Sequence, residues 1–392
     1  KKDKKDLFLN KFFLIFFSFY IICVISSLMS DYVVFSLKNS LFYIRFILFA
    51  ICLYWILIKM KNIKQFFFYS LLLTLFLLSL SGYYEFFIKQ NCWGYDPEYK
   101  VISTDLFYCK KFFFIGNDLR ADRLSGFFGD EMILGSFLVR LLPIIICLNL
   151  FFKKFDNFKF NLFLIYISIA IIISGERLSI LFLIIIISSY LFICLKTKNF
   201  IITSFTLTII ISSLIYNVPN LKNRIIDDTL TQILQISHET KKDKKKLTFF
   251  SIEHQSHALT AINIFKNNIF FGAGPKSFRY ACSKKENYVD KNSCTTHPHN
   301  TFLQIFSEVG ILGSIPVIIL FAIILKNILH FFIIKSNNKN TKKDNLVFII
   351  MVSFLISLFP VVPSGNFFNN WINYIYYLPL PFYLYVNKNL KY

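Results

Sequence analysis

The chain has 392 residues, of which 55% are hydrophobic and 19% aromatic, and its formal net charge is +21. This apolar fraction is well above that of an ordinary soluble domain and excludes a soluble globular fold. The positive charge does not indicate nucleic-acid binding, because most of it is lysine placed between apolar runs, where it anchors the topology of a membrane protein.

Ten apolar runs follow one another along the chain, and a run of about 18 residues is long enough for a helix to cross a hydrocarbon core of roughly 30 Å. We therefore predict an all-α, polytopic integral membrane protein with about ten transmembrane helices. The runs cover approximately residues 7–29, 41–58, 66–82, 131–152, 160–174, 178–195, 199–216, 301–325, 346–363 and 371–386.

Basic residues between the runs predict the orientation, because short basic loops stay on the cytoplasmic side. They alternate so that both termini are cytoplasmic. The external side then receives residues 31–40, 83–130, 175–177, 217–300 and 364–370. The basic run 241–246 lies in the longest external segment, but long loops translocate largely regardless of their charge.

No internal repeat and no flexible linker divides the chain, so we predict one membrane domain over residues 1–392. It carries two external elaborations, residues 83–130 and residues 217–300. The second is long enough for several short helices, including an amphipathic helix along the membrane surface. Its apolar positions are Ala258, Ile262 and Phe265. The cytoplasmic loops are short, so any chemistry is expected to be external or within the membrane.

Four of the eight cysteines lie outside the apolar runs. Cys92 and Cys109 share the first external segment, and Cys282 and Cys294 share the second. An oxidising exterior favours a disulfide within each pair, Cys92–Cys109 and Cys282–Cys294. These spacings do not match a zinc-finger-like metal site.

Arginine is informative because the chain has only seven arginines against 36 lysines, and none of the seven lies in a predicted cytoplasmic loop. The planar guanidinium matches phosphate oxygens in pairs and indicates a phosphorylated, membrane-borne ligand on the outer face. Arg140 lies inside a span, where a charge costs about 2.5 to 3.5 kcal/mol, so it is expected either to snorkel or to pair with Glu131 or Glu176. Arg45 is expected to be structural. The others are Arg120, Arg123, Arg177, Arg224 and Arg279.

Five of the six histidines lie in the second external segment, and histidine suits proton transfer near neutral pH. His254 and His257 would share one helical face, but the sequence offers no third ligand for a metal there. His297 and His299 stand directly before an apolar run, so Asn300 is expected to cap that helix with its positive end facing them. A simpler alternative is that these histidines only mark the membrane interface. The remaining one of the five is His238.

The stretch HPHNTFLQIFSEVGILG, residues 297–313, resembles the O-antigen ligase and polymerase superfamily of bacterial envelope glycosyltransferases. That family shows a His-x-His-Asn segment leading into a helix with a glutamate and a Gly-Ile-Leu-Gly-like end. Three shorter stretches, RLSGFFGDEMILGSFL, SGERLS and FGAGPKSF, are similar to further segments of the family in the same order. The family often has Asp-Pro-Asn where this chain has Gly129, Asp130 and Glu131, and the first 110 residues match only in hydropathy.

The resemblance implies a GT-C-like membrane glycosyltransferase that needs no cofactor or metal and takes a glycan from an undecaprenyl-pyrophosphate carrier. It implies a place in the bacterial inner membrane, with the active site on the periplasmic face. His299 corresponds to the histidine thought to activate the acceptor hydroxyl, and Arg123 and Arg177 to arginines thought to hold the pyrophosphate. Residues expected to support them are Arg140, Arg279, His297 and Asn300.

An O-antigen ligase passes the glycan to the lipid A core oligosaccharide, whereas a polymerase passes it to a second carrier-linked repeat unit. The ligase is our leading hypothesis and the polymerase its close alternative. The sequence does not separate them, because both use one carrier and differ only in the acceptor. A transporter of the lipid-linked glycan is a remoter alternative. Transporters tend to show inverted repeats and paired interrupted helices, whereas this chain concentrates its arginine and histidine outside the spans.

Overall fold

The computed structural model describes residues 10–60, 62–88, 90–91, 110–111, 123–129, 131–152, 156–217, 222–227, 229–230 and 252–389. The chain divides into two compact units. The first unit comprises Lys1–Lys59 and Thr231–Tyr392, and the second unit comprises Met60–Leu230.

Helices make up most of the described chain. In chain order they are α1 (Lys11–Leu28), α2 (Val33–Lys59), α3 (Ile63–Ile88), α4 (Leu134–Phe152), α5 (Asn157–Ile173), α6 (Arg177–Cys194), α7 (Thr197–Asn217), α8 (Ile252–Asn267), α9 (Phe278–Ala281), α10 (Thr301–Ser336), α11 (Lys342–Ser357), α12 (Asn370–Tyr377) and α13 (Pro379–Asn389). Two short strands, β1 (Gln90–Asn91) and β2 (Lys110–Lys111), pair antiparallel.

Seven of the described helices are long and apolar enough to cross a membrane, namely α1, α2, α3, α4, α6, α7 and α10. Helix α5 is also apolar but has only 17 residues. The chain is therefore an all-α, multi-pass membrane protein, as predicted. The predicted number of about ten transmembrane helices exceeds the seven found among the described residues.

Helix α2 begins at Val33, so most of the predicted external segment 31–40 is helical. The extension is stabilised by serines that pack between α1 and α2. The Ser36 hydroxyl donates to Ser27 Oγ at 2.9 Å, and the Ser40 hydroxyl donates to the carbonyl of Cys23 at 3.2 Å. These polar contacts stabilise a helical conformation in residues that the sequence predicts to be an external loop.

The last predicted span, residues 371–386, forms two short helices instead of one, α12 and α13. The break comes at Pro379, which has no N–H to continue the hydrogen bonding of α12 and has a φ angle suited to the first position of a new helix. Both prolines of the LPLP stretch therefore lie at or just inside the beginning of α13.

In the first unit α10 packs against α1, α8 and α11, and α2 packs against α1 and α13. Helix α10 is interrupted at Gly310, where φ is 68°. The break lets the backbone of α10 bond a neighbouring segment, with the Ile311 N–H donating to the carbonyl of Ile269 at 2.8 Å. A Cβ at Gly310 would lie 2.3 Å from the carbonyl oxygen of Phe270, so only glycine fits here.

In the second unit α4 packs against α3, α5 and α6. Its middle is fully buried, and Leu138, Leu142 and Ile145 each have 0% exposure. Pro143 lies inside this helix. A proline within a membrane helix is tolerated where neighbouring helices bury it.

Candidate functional site

Four histidines lie together in the first unit, and we call them the histidine cluster. The ring centroid of His299 lies 4.2 Å from that of His297, 5.1 Å from that of His254 and 5.3 Å from that of His257. His254 and His257 belong to α8, whereas His297 and His299 precede α10. The sequence presents two separate pairs, and the packing of α8 against α10 brings them together.

The packed face of α8 differs from its predicted apolar stripe. His257 is buried together with Ala261 and Ile264, one and two turns further along. Ile262, one of the three predicted apolar positions, is 36% exposed. The contact that places His257 beside His299 is therefore made by a face that the apolar pattern does not identify.

His299 adopts a left-handed backbone conformation with φ 54°, uncommon for a residue with a side chain. Two hydrogen bonds hold the turn. The Ser364 N–H donates to the His299 carbonyl at 2.8 Å, and the side-chain oxygen of Asn300 accepts from the Leu303 N–H at 3.1 Å. The predicted cap by Asn300 is confirmed, and it places His299 at the positive end of α10.

His297 is held through both ring nitrogens. Nε2 lies 3.2 Å from the carbonyl oxygen of Ser364 and Nδ1 lies 2.9 Å from the hydroxyl of Thr296. A carbonyl oxygen only accepts, so the neutral ring carries its proton on Nε2 and accepts from Thr296 at Nδ1. Burial lowers the pKa of His297 to about 4, although the bond to Ser364 opposes the shift. His297 is therefore a fixed neutral neighbour with no free lone pair.

His299 is also neutral near physiological pH. Burial, together with the neighbouring imidazoles of His297, His254 and His257, lowers its pKa to about 3. A neutral imidazole keeps a lone pair with which it can accept a proton from a hydroxyl. The lowered pKa keeps His299 in this neutral form and makes it release an accepted proton readily.

Segment 360–367 closes over the beginning of α10. The side-chain amide of Asn300 donates to the Pro360 carbonyl at 2.7 Å, and the Phe367 N–H donates to Gln304 Oε1 at 2.8 Å. Gln304 also donates to Asn366 Oδ1 at 2.9 Å. These bonds fix the orientation of the turn that carries His299.

Glu308 holds the glycine-rich segment that precedes α9. Its carboxylate accepts from the backbone N–H of Lys276 at 2.9 Å and of Phe278 at 3.0 Å, and from the Gln304 side chain at 2.9 Å. It is fully buried. Sequence reasoning did not single out Glu308, although a carboxylate inside an apolar run is a costly feature that signals a specific role.

Arg279 lies on α9, over the ring of Phe35 at 5.9 Å. Its Nε is buried and makes no hydrogen bond to any residue that the structure describes. Its charge contributes to the lowered pKa of His297, which places it near the histidine cluster. The positive charge of Arg279 therefore lies in the first unit, which also contains His299.

A disulfide joins Cys282 and Cys294. It connects the residue that follows α9 to the segment that leads to His297. The predicted partners Cys92 and Cys109, and also Arg120 and His238, lie outside the described residues.

In the second unit the segments that carry Arg123 and Arg177 lie side by side. The Leu124 N–H donates to the carbonyl of Ser174 at 3.2 Å, and Arg177 is the first residue of α6. The Glu85 carboxylate accepts from the backbone N–H groups of Ser125 at 3.0 Å and of Gly126 at 2.6 Å. Arg123 is half-buried, and its Nε has no hydrogen-bond partner within the described part of the chain.

Of the two alternatives that the sequence offers for Arg140, the structure does not show the pair with Glu131 or Glu176. It is 5% exposed, donates from Nη1 to the Ser136 carbonyl at 2.9 Å and lies over the ring of Phe182 at 5.7 Å. Glu176 instead accepts from the Ser136 N–H and from the hydroxyl of Ser179 at 3.1 Å. The Ser136 carbonyl and the Phe182 ring both stabilise the charge of the guanidinium.

Among the residues that the structure describes, no group of three or more His, Cys, Asp or Glu side chains is arranged to hold a metal ion. All members of the histidine cluster are among these residues. The cluster therefore brings imidazole rings into contact with one another without forming a coordination sphere.

The fold and the histidine cluster define a multi-pass helical membrane protein with proton-transfer groups beside a helix N-terminus. A sequence model of the O-antigen ligase family matches residues 162–318. The resemblance to the O-antigen ligase superfamily is thereby confirmed. No curated protein matches the chain.

The matched region contains the whole histidine cluster, Arg177, Arg279 and Glu308, while Arg123 and Arg140 precede it. The family supports a function of the O-antigen ligase or polymerase type, a glycosyltransferase-like enzyme and lipid-linked glycan substrates.

Proposed function

We propose that this protein is a metal-independent glycosyltransferase that moves a glycan from an undecaprenyl-pyrophosphate carrier to the lipid A core oligosaccharide. The observation that carries the proposal is the placement of His299. It stands neutral at the N-terminus of α10, held by Ser364 and Asn300, within the region matched by the O-antigen ligase family.

The proposed reaction is a single displacement at the anomeric carbon. A lone pair of the acceptor hydroxyl oxygen forms the new C–O bond while the bond to the carrier pyrophosphate breaks, and its electron pair leaves with the pyrophosphate oxygen. His299 takes the hydroxyl proton, a contribution of about 10² to 10⁴ in rate. Such a displacement inverts the configuration at the anomeric carbon.

The leaving pyrophosphate gains negative charge as the bond breaks, and fixed arginines stabilise such charge best in a partly dry site. We assign this role to Arg123 and Arg177. The adjacency of their backbone segments and the half-buried state of Arg123 support the assignment. Arg140, whose guanidinium is bonded to a backbone carbonyl, and Arg279 are supporting residues.

We further propose that the protein lies in the bacterial inner membrane, with both termini cytoplasmic and the reaction on the periplasmic face. Support comes from the hydrogen bonds that join the His299 turn to Ser364, because both lie in segments that the lysine pattern assigns to one side. The disulfide between Cys282 and Cys294 suits an oxidising compartment.

Reconstitution of the full chain in proteoliposomes tests the proposal. The donor is a glycan on undecaprenyl pyrophosphate, and lipid A core and a second carrier-linked repeat unit are offered as acceptors. We expect product on lipid A core in the presence of a metal chelator. Product only on the carrier-linked repeat would identify a polymerase instead, and no transfer to either acceptor would contradict both.

A further inference from the structure

The reaction above assigns no role to His257, which lies in the histidine cluster. It is 8% exposed, and its Nδ1 is fully buried with no hydrogen-bond partner among the described residues. A buried nitrogen without a partner is uncommon in folded proteins and requires an explanation. The ring lies 5.3 Å from that of His299, centroid to centroid.

In a neutral imidazole one ring nitrogen carries the proton and the other carries a lone pair. Among the described residues, Nδ1 of His257 makes no hydrogen bond, whereas both nitrogens of His297 are occupied. With its proton on Nε2, His257 therefore offers Nδ1 as a proton acceptor.

The charges around the two rings differ. Burial lowers the pKa of His257, and His254 lowers it further, but the carboxylates of Glu253 and Asp290 oppose the shift. Each neighbour that shifts the pKa of His299 lowers it, and none is a carboxylate. Asp290 is held in place by the Ser256 hydroxyl, which donates to it at 2.6 Å. A proton is therefore favoured on His257 over His299.

We propose that His257 is a proton-relay residue that takes from His299 the proton of the acceptor hydroxyl. As the glycosyl bond forms, the hydroxyl proton moves to one ring nitrogen of His299 while the proton on its other ring nitrogen moves to Nδ1 of His257, directly or through one water. His299 is then neutral again, and His257 becomes an imidazolium faced by Asp290 and Glu253. Glu253 is exposed, so the proton reaches bulk water on this side.

This inference rests on the proposed role of His299, and the test separates the two. The reconstituted transfer to lipid A core is measured for the wild type, His257→Gln, His299→Gln and His330→Gln. His330 is the matched control because it is an exposed histidine on α10. Each protein is assayed with and without added imidazole, and kcat is separated from KM for the donor.

We expect His257→Gln to lower kcat by about ten-fold or more with an unchanged KM, and imidazole to restore the rate. His330→Gln should behave as the wild type. If His257→Gln has the wild-type kcat, or a reduced kcat that imidazole does not restore, the relay is wrong. If His299→Gln keeps the wild-type rate, the proposed function of His299 fails as well.

A measurement on the wild type keeps the inference testable should His257→Gln not accumulate in the membrane. The transfer rate is followed in mixtures of H₂O and D₂O. Relay through two histidines predicts a curved dependence on the deuterium fraction, because more than one proton is in transit. A linear dependence would contradict it.

Discussion

The rings of His257 and His299 lie 5.3 Å apart, centroid to centroid, although one belongs to α8 and the other to the turn before α10. Their proximity depends on the break in α10 at Gly310 and on the carboxylate of Glu308, which together fix the segment between the two helices. The chemistry assigned to the histidines therefore depends on contacts of Glu308 and Gly310, which lie one or more turns after the beginning of α10.

Glu308→Ala should destabilise the first unit. The change leaves the backbone N–H groups of Lys276 and Phe278 without their acceptor, and each buried unpaired donor costs about 1 to 3 kcal/mol. Thermal unfolding of the detergent-purified protein measures the effect. Glu286→Ala, which removes an exposed carboxylate nearby, is the control. Equal unfolding temperatures for the two variants would show that the Glu308 contacts are unimportant.

Gly310→Ala should reduce the yield of folded protein. The positive φ of 68° disfavours a side chain by about 1 to 3 kcal/mol, and the new Cβ would lie 2.3 Å from the Phe270 carbonyl oxygen. Gly365→Ala is the matched control, because its Cβ meets only a side-chain methyl of Ile372 at 3.2 Å. Size-exclusion chromatography after expression compares the two, and normal yield of Gly310→Ala would argue against the break in α10.

Stability should fall as the pH is lowered. His297 and His299 stay neutral in the folded protein down to about pH 4 and about pH 3, whereas in the unfolded chain they bind protons near the ordinary value of 6.5. The unfolded state then holds more protons, so stability present above pH 6.5 is lost as the pH falls toward 3. Unfolding temperatures across this range, compared with those of the double variant His297→Gln/His299→Gln, measure the effect. An identical slope in both proteins would contradict it.

Arg177→Lys should lower the transfer rate by about ten-fold or more, because a lysine cannot bind phosphate oxygens in pairs as the planar guanidinium does. The reconstituted assay measures the rate at saturating donor. Lys159→Arg, a change at an exposed lysine of α5, should leave it unaltered. Full activity of Arg177→Lys would indicate that the position supplies only a point charge.

Seven of the ten predicted spans are long apolar helices among the described residues. The sequence indicates them because backbone polar groups inside hydrocarbon must be hydrogen-bonded internally, and a helix that does this there has a long apolar sequence. The N-terminal cap by Asn300 can also be predicted from the sequence, because it involves residues that are close together along the chain. The apolar run that begins at residue 301, in contrast, predicts one continuous span. Its pattern does not indicate the break at Gly310. The beginning of α2 at Val33 depends on serines buried between two helices.

The functional site is harder to predict from the sequence than the fold. The sequence identifies His297 and His299 by their place before an apolar run, but it does not bring His254 and His257 to them, because that requires the packing of α8 on α10. It predicts that Arg140 either snorkels or pairs with Glu131 or Glu176, whereas in the structure the guanidinium contacts a backbone carbonyl and an aromatic ring. Local pattern identifies candidate residues, and their partners are set by tertiary contacts.

The transfer rate of His299→Ala tests the central claim most directly. The variant is reconstituted with the undecaprenyl-pyrophosphate-linked glycan and lipid A core, and its amount in the membrane and its donor binding are measured in parallel. We predict a loss of about 10² to 10⁴ in kcat with both other quantities unchanged. A wild-type kcat in this variant would contradict the assignment of His299 as the base.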